Sequence, residues 1–69
     1  MVEVFKTNVQ CPVEAERLVG RLLEQLPLCS INFDLEDCDR ILRIEGHPIH
    51  NPHVIALLDS HGYNCEVLA

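Results

Sequence analysis

The stretch SINFDLEDCDRILRIE, residues 30–45, decides the fold of this chain. Apolar and polar residues alternate through both of its halves, and the apolar positions are Ile31, Phe33, Leu35, Leu42 and Ile44. A polar segment, Asp37-Cys38-Asp39, separates the halves and is typical of a turn. Because successive side chains of a strand point to opposite faces, this pattern predicts an antiparallel β-hairpin with one buried face.

A strand and a helix precede the hairpin. Residues 2–7, VEVFKT, are rich in β-branched and aromatic side chains and predict a first strand. Pro12 suits the first position of a helix, and Pro27 ends it. Between the two prolines, apolar residues recur at steps of three and four, namely Ala15, Leu18, Val19, Leu22, Leu23 and Leu26. This spacing predicts an amphipathic helix of about three turns.

A second helix and a last strand follow the hairpin. Asn51 and Pro52 are typical of a helix start, with the Asn51 side chain expected to cap it. The side of this helix that we expect to be buried carries Val54, Ile55, Leu57 and Leu58. Gly62 ends the helix, and residues 63–68 predict the final strand.

The predicted order is therefore βαββαβ in one domain covering residues 1–69. This order is that of the ferredoxin-like fold, an α+β sandwich. Right-handed crossovers then give one antiparallel sheet in which the strands follow the order 4-1-3-2. Both helices are expected on one face of this sheet, and the other face is expected to be polar.

Composition excludes several classes of protein. The apolar fraction is 48%, which excludes a disordered chain. The net charge of −6 argues against binding to nucleic acid or to an anionic membrane surface. No apolar run is long enough for a membrane span, and Glu3 near the start does not fit a signal peptide. We therefore expect a cytoplasmic protein whose four cysteines are free thiols.

The chain resembles the heavy-metal-associated domain, the fold of copper chaperones and of the amino-terminal modules of metal pumps. The likeness rests on the element order, on TNVQC at residues 7–11, where that family has GMxC, and on Gly-Tyr at 62–63. It implies that Val9 takes the place of a buried methionine and that Cys11 is the first metal cysteine. Glu14 stands where the family has its second cysteine, so binding by a thiolate pair does not transfer to this chain.

Cys11 is the centre of the candidate metal site. A thiol at a helix N-terminus meets unpaired N–H groups, which favour the thiolate. The fold is expected to bring Cys38 and His61 to the same end of the molecule, with Glu14 as an oxygen ligand. Such a set suits zinc better than Cu(I). The alternatives are a capping cysteine, a Glu14 that caps the helix, and a His61 that binds helix-end carbonyls.

A second candidate metal site is the run His47, His50 and His53. Imidazoles at steps of three do not converge on one ion unless the chain curls, and Pro48 and Pro52 restrict how it can curl. The alternative interpretation is a solvated loop whose charge responds to pH.

Two functional hypotheses follow from these observations. The first is weak zinc-type binding around Cys11. The second is a metal-free interaction or regulatory module that binds a protein partner through an edge or the open face of the sheet. No phosphate-binding glycine loop, nucleophile elbow or HExxH helix occurs in the sequence, so we do not expect an enzyme.

Overall fold

The computed structural model describes residues 1–68 and contains six elements in the predicted order. They are β1 (Val2–Thr7), α1 (Pro12–Gln25), β2 (Ser30–Asp34), β3 (Ile41–Glu45), α2 (Asn51–Ser60) and β4 (Cys65–Val67). The four strands form one antiparallel sheet in the order β2-β3-β1-β4. This order is the predicted one read from its other end, and the α+β, ferredoxin-like arrangement is confirmed.

The register of the sheet sorts its side chains onto two faces. Leu42 of β3 lies opposite Phe5 on one side and Phe33 on the other, so these three side chains share a face. Phe5 and Leu42 are fully buried on this face, which therefore carries the core. The opposite face holds Asn32 and Arg43, which are exposed as predicted.

The core contains residues from both helices, from the two strands β1 and β3, and from the connecting loops. Its members are Phe5, Val9, Ala15, Leu18, Leu22, Leu26, Cys29, Leu42, Ile44, Val54 and Leu58. Val9 is completely buried, at the position where the resemblance implies a buried side chain.

The apolar stripe of α1 is wider than the core beneath it. Leu18 and Leu22 are buried, whereas Val19 is half-buried and Leu23 is 39% exposed. One margin of the stripe therefore faces outward beside β2. α1 is the longer helix at 14 residues, and in residues 1–68 no helix has the length and hydropathy needed to cross a bilayer.

The predicted cap of α2 is wrong. The N-cap residue is His50, and Asn51 is the first residue of the helix. The Asn51 side chain instead donates a hydrogen bond from Nδ2 to Oε1 of Glu3 at 2.6 Å. Glu3 lies on the helix-facing side of β1, in phase with Phe5, and holds the Asn51 amide through Nδ2, while Oδ1, the atom that a cap would use, is buried without a hydrogen-bond partner within residues 1–68.

The last strand is shorter than predicted and begins at Cys65 rather than at residue 63. The two preceding residues are held by other partners. The N–H of Tyr63 donates to the carbonyl of Leu58 at 3.0 Å, and the N–H of Asn64 donates to Oδ1 of Asn8 at 2.8 Å. These bonds hold the turn after α2, so ladder pairing with β1 starts only after it.

Candidate functional site

The tip of the β2–β3 hairpin gathers three potential metal ligands. Asp37, Cys38 and Asp39 each offer one ligand atom, and these atoms lie within 4.8 Å of one another. The N–H of Asp39 also donates to Oδ1 of Asp37 at 2.8 Å, which closes the turn locally. Lys6 Nζ lies 3.8 Å from Asp39 Oδ1, so a cation of the protein already balances part of this negative charge.

Arg40 and Thr7 hold the hairpin tip in place. Arg40 has a φ of 46°, and its Nη1 donates to the carbonyl of Leu35 at 2.6 Å. Thr7 at the end of β1 is buried, and its Oγ1 donates to the carbonyl of Arg40 at 2.6 Å. The N–H of Thr7 donates to the carbonyl of Asp39 at 3.1 Å. The tip is thus fastened to the strand that leads into α1.

Cys11 is the exposed N-cap residue of α1, and its thiol makes no capping hydrogen bond. Its carbonyl accepts the first helical hydrogen bond, from the N–H of Ala15 at 2.9 Å. Glu14 Oε1 lies 3.8 Å from Nη1 of Arg17, one turn further along the helix. Glu14 therefore takes part in an ion pair on the helix surface.

His61 lies at the end of α2 and bonds to that helix. Its Nδ1 is 3.0 Å from the carbonyl oxygen of Leu57. Because a carbonyl only accepts, Nδ1 carries the proton in this contact. Ser60 Oγ donates to the same carbonyl at 2.7 Å. This contact is the helix-end alternative predicted for His61, and it leaves Nε2 available to other groups.

The structure does not bring the four predicted ligands together. His61 lines a groove with Arg21 and Glu24 from the second half of α1, whereas Cys11 precedes the first turn of that helix. Within residues 1–68, no three ligand atoms lie within 4.8 Å of one another among Cys11, Glu14, Cys38 and His61. A site built from this set requires its side chains to move together, and the set remains a prediction.

The sequence interpretation missed the partners that the structure gives to Cys38. The signal is the tripeptide Asp37-Cys38-Asp39 itself, whose two aspartates the sequence interpretation assigns to a turn and does not count as ligands. A turn and a ligand cluster are compatible here, because a tight turn brings side chains two residues apart close together.

The three histidines of the second candidate site are exposed. The rings of His50 and His53 are 5.4 Å apart between centroids and are tilted by 47°. Ligand atoms of His47, His50 and His53 do not form a group of three within 4.8 Å in the part of the chain that the structure describes. Two of the three imidazoles are therefore neighbours, and the predicted three-histidine site is not assembled.

Cys29 and Cys65 occupy structural positions, as predicted. Cys29 is buried, and its thiol donates to the carbonyl of Pro48 at 3.7 Å. Cys65 is half-buried on the helix-facing side of β4, opposite Thr7. Burial raises the pKa of the Cys65 thiol to about 11, and the negative charge of Glu66 adds to this rise. All four cysteines are free thiols.

A groove between α1 and the edge strand β2 is lined mainly by apolar side chains. Its walls are Val19, Gly20 and Leu23 from α1, Ile31 and Phe33 from β2, and Leu35, which directly follows β2. Glu16 is the one charged residue that lines it among residues 1–68. We call this feature the α1–β2 groove. The sequence signal for it is the apolar stripe of α1, whose margin at Val19 and Leu23 lies outside the buried core.

No protein-family model matches the chain, and no curated protein matches it at a significant level. Support for each candidate site therefore comes from the geometry of its residues.

Proposed function

We propose that this chain is a non-enzymatic protein-interaction module of the heavy-metal-associated type, and that it binds its partner at the α1–β2 groove. The observation that carries the proposal is the groove itself, in which half-buried apolar side chains of an edge strand face an outward margin of α1. Apolar grooves of this kind are typical of sites that bind other proteins.

The edge position of β2 supports this proposal. β2 pairs with β3 on one side only, so alternate backbone N–H and C=O groups along Ser30–Asp34 face away from the sheet. Edge strands commonly carry inward-pointing charges or a proline that block a further strand. The helix-facing positions of β2 are instead Ile31 and Phe33, both apolar. This edge is therefore open to an added strand.

We also propose that the module acts in the cytoplasm. The support is the state of the cysteines, since Cys11 and Cys38 are exposed free thiols. Exposed thiols persist in a reducing compartment and are readily oxidised outside it.

Site-specific photo-crosslinking in the native host tests the proposal. A photoreactive residue at position 23, in the groove, is expected to give discrete protein adducts. The control position is Arg17, on the same helix but not lining the groove. Gly20→Gln fills the groove and is expected to remove the adducts. Equal labelling at both positions, or adducts that persist in Gly20→Gln, would contradict the proposal.

Weak binding of a zinc-type ion is a second candidate function. The observation that favours it is the closeness of the Asp37, Cys38 and Asp39 ligand atoms at the hairpin tip. A thiolate and two carboxylates are acceptable zinc ligands, and a water molecule completes a tetrahedral set. The resemblance to metal-binding domains points to the same end of the molecule through Cys11.

Calorimetric titration of the reduced protein with zinc tests this candidate. Loss of one binding equivalent in Cys38→Ser, but not in Cys11→Ser, supports the hairpin tip. Loss in both Cys11→Ser and Cys38→Ser supports the predicted set around Cys11, which shares Cys38, and a loss in His50→Ala alone supports the histidine run. The absence of saturable binding in the unmodified protein rejects all three sites.

A further inference from the structure

We infer that the α1–β2 groove receives an extended segment of a partner protein, with three alternate apolar side chains and flanking lysines or arginines, as a fifth strand beside β2. This inference rests on the proposed interaction function and specifies the chemistry of the partner.

The apolar wall formed by β2 and by Leu35, which directly follows it, determines how many side chains the partner contributes. Ile31, Phe33 and Leu35 are alternate residues, so they span about 13 Å at roughly 3.3 Å per residue. A strand added at this edge places three of its own alternate side chains beside them. These side chains would lie against Val19 and Leu23 of α1, in an open groove of about 560 Å³. A strand with apolar residues at every second position therefore fits.

Gly20 keeps the α1 wall of the groove open. A Cβ atom built at this position meets nothing within 4 Å. The space above Gly20 is therefore large enough for an atom of a partner side chain to approach the helix backbone. The same space makes position 20 a useful site for blocking the groove, because a larger residue there disturbs no contact of the fold.

The charges around the groove select a cationic partner. Arg17 pairs with Glu14 at 3.8 Å, and Arg21 pairs with Glu24 at 3.6 Å, so both arginines of α1 have acidic neighbours. Glu16, which lines the groove, forms no ion pair within residues 1–68. A lysine or arginine beside the apolar segment of the partner would supply this missing counter-charge.

The acidic end of the groove strengthens this selection. α1 runs antiparallel to β2, so its first turns and Glu16 lie near the end of β2, which the exposed Glu36 follows. A second copy of this chain is a poor occupant, because each copy carries a net charge of −6 and brings the same carboxylates. The favoured occupant is a basic segment of another protein.

Synthetic peptides test the inference. The first is a nine-residue peptide with valine at three alternate positions and lysines at both ends. The second peptide has the same sequence but carries glutamates in place of the lysines. We expect the lysine peptide to bind roughly tenfold more tightly at low salt, by fluorescence anisotropy, with a smaller difference at high salt. Bound peptide is expected to slow hydrogen exchange at the outward-facing amides of β2.

Two groove variants provide the controls. Gly20→Gln is expected to lower the affinity for the lysine peptide roughly tenfold or more, because the larger side chain occupies the space for one apolar side chain of the peptide. Gly20→Ala, which leaves most of that space, is expected to bind like the unmodified protein. Glu16→Gln is expected to reduce the preference for lysine over glutamate and to leave the apolar contribution intact.

Several results would overturn the inference. They are the absence of peptide binding, unchanged exchange at β2, an unchanged preference in Glu16→Gln, and a stable dimer in sedimentation that Gly20→Gln dissociates. If adducts form at position 23 but neither peptide binds, the proposed function is still supported, and only the inference of a basic, extended partner segment is rejected. Failure of the crosslinking itself would remove the proposed function.

Discussion

Thr7 is the residue through which β1 holds the hairpin tip. Its buried Oγ1 donates to the Arg40 carbonyl and accepts from the N–H of Val9 at 3.3 Å. Thr7→Val keeps the shape of the side chain but leaves both backbone groups without their partner. We expect a loss of about 1–3 kcal/mol in the free energy of unfolding, measured with urea. Thr7→Ser, which keeps the hydroxyl, should lose less, and equal losses in both variants would contradict this role.

Cys65 gives the protein a pH dependence in the alkaline range. Its folded pKa of about 11 lies above the ordinary value of 9.0. The unfolded chain therefore releases this proton first, and the contribution of Cys65 to stability is complete below pH 9 and is lost as the pH rises towards 11. Urea unfolding at several pH values should show this decline, and Cys65→Ser should show a smaller one. Identical pH profiles would contradict the assignment.

Replacing glycine by alanine is expected to have opposite effects on stability at positions 46 and 20. Gly46 has a φ of 140°, and a Cβ atom there would lie 2.9 Å from the Cα atom of Cys29. Gly46→Ala should therefore destabilise the fold by more than about 1 kcal/mol, from strain and from this backbone contact. Gly20 lies in a helix with open space around it, so Gly20→Ala should stabilise by about 0.5–1 kcal/mol. Thermal unfolding of both variants checks the contrast, and two shifts of the same sign would contradict it.

At the scale of the elements, α1 divides its apolar residues between the core and the groove. Leu18 is fully buried, whereas Leu23 is 39% exposed on the groove margin. Leu18→Ala should lower the free energy of unfolding by about 2–5 kcal/mol, because it leaves a cavity in the core. Leu23→Ala should cost clearly less, and it should weaken partner binding. Chemical unfolding measures both losses, and similar values would mean that Leu23 belongs to the core and that the groove is closed in solution.

The elements themselves could be predicted from sequence because each follows one strong local pattern. The two-residue alternation around Ile31 and Leu42 and the helical stripe from Ala15 to Leu26 fix the strand and helix types. Local patterns carry less information at the ends of elements. Asn51 looks like a cap, but α2 begins at Asn51 itself, and the side-chain Nδ2 donates to Glu3, which is distant in sequence.

The candidate site was harder to predict than the fold, for a geometric reason. Topology predicts which loops share one end of the molecule, whereas a metal site requires ligand atoms a few ångströms apart. His61 illustrates the difference, since its imidazole bonds to the carbonyl of Leu57 in its own helix. The α1–β2 groove is likewise a tertiary feature, since it depends on how far α1 lies from the sheet edge.

At the scale of the whole molecule, the excess of carboxylates dominates the electrostatics. Residues 1–68 contain three ion pairs between side chains, and all of their partners are partly exposed. Such pairs contribute little, typically 0–1 kcal/mol each. Most of the carboxylates behind the net charge of −6 therefore repel one another in the folded chain, and the same field favours a cationic partner.

This repulsion predicts that salt stabilises the fold. Raising KCl from about 0.02 M to about 0.5 M shortens the Debye length from roughly 20 Å to a few ångströms and screens the carboxylates from one another. The thermal midpoint should rise, because the screened repulsion exceeds the small loss from three surface ion pairs. Replacing Glu36 and Asp37 by their amides removes two negative charges and should reduce the salt effect. A midpoint that falls with KCl would mean that the ion pairs outweigh the repulsion, and it would also remove the electrostatic argument for a basic partner.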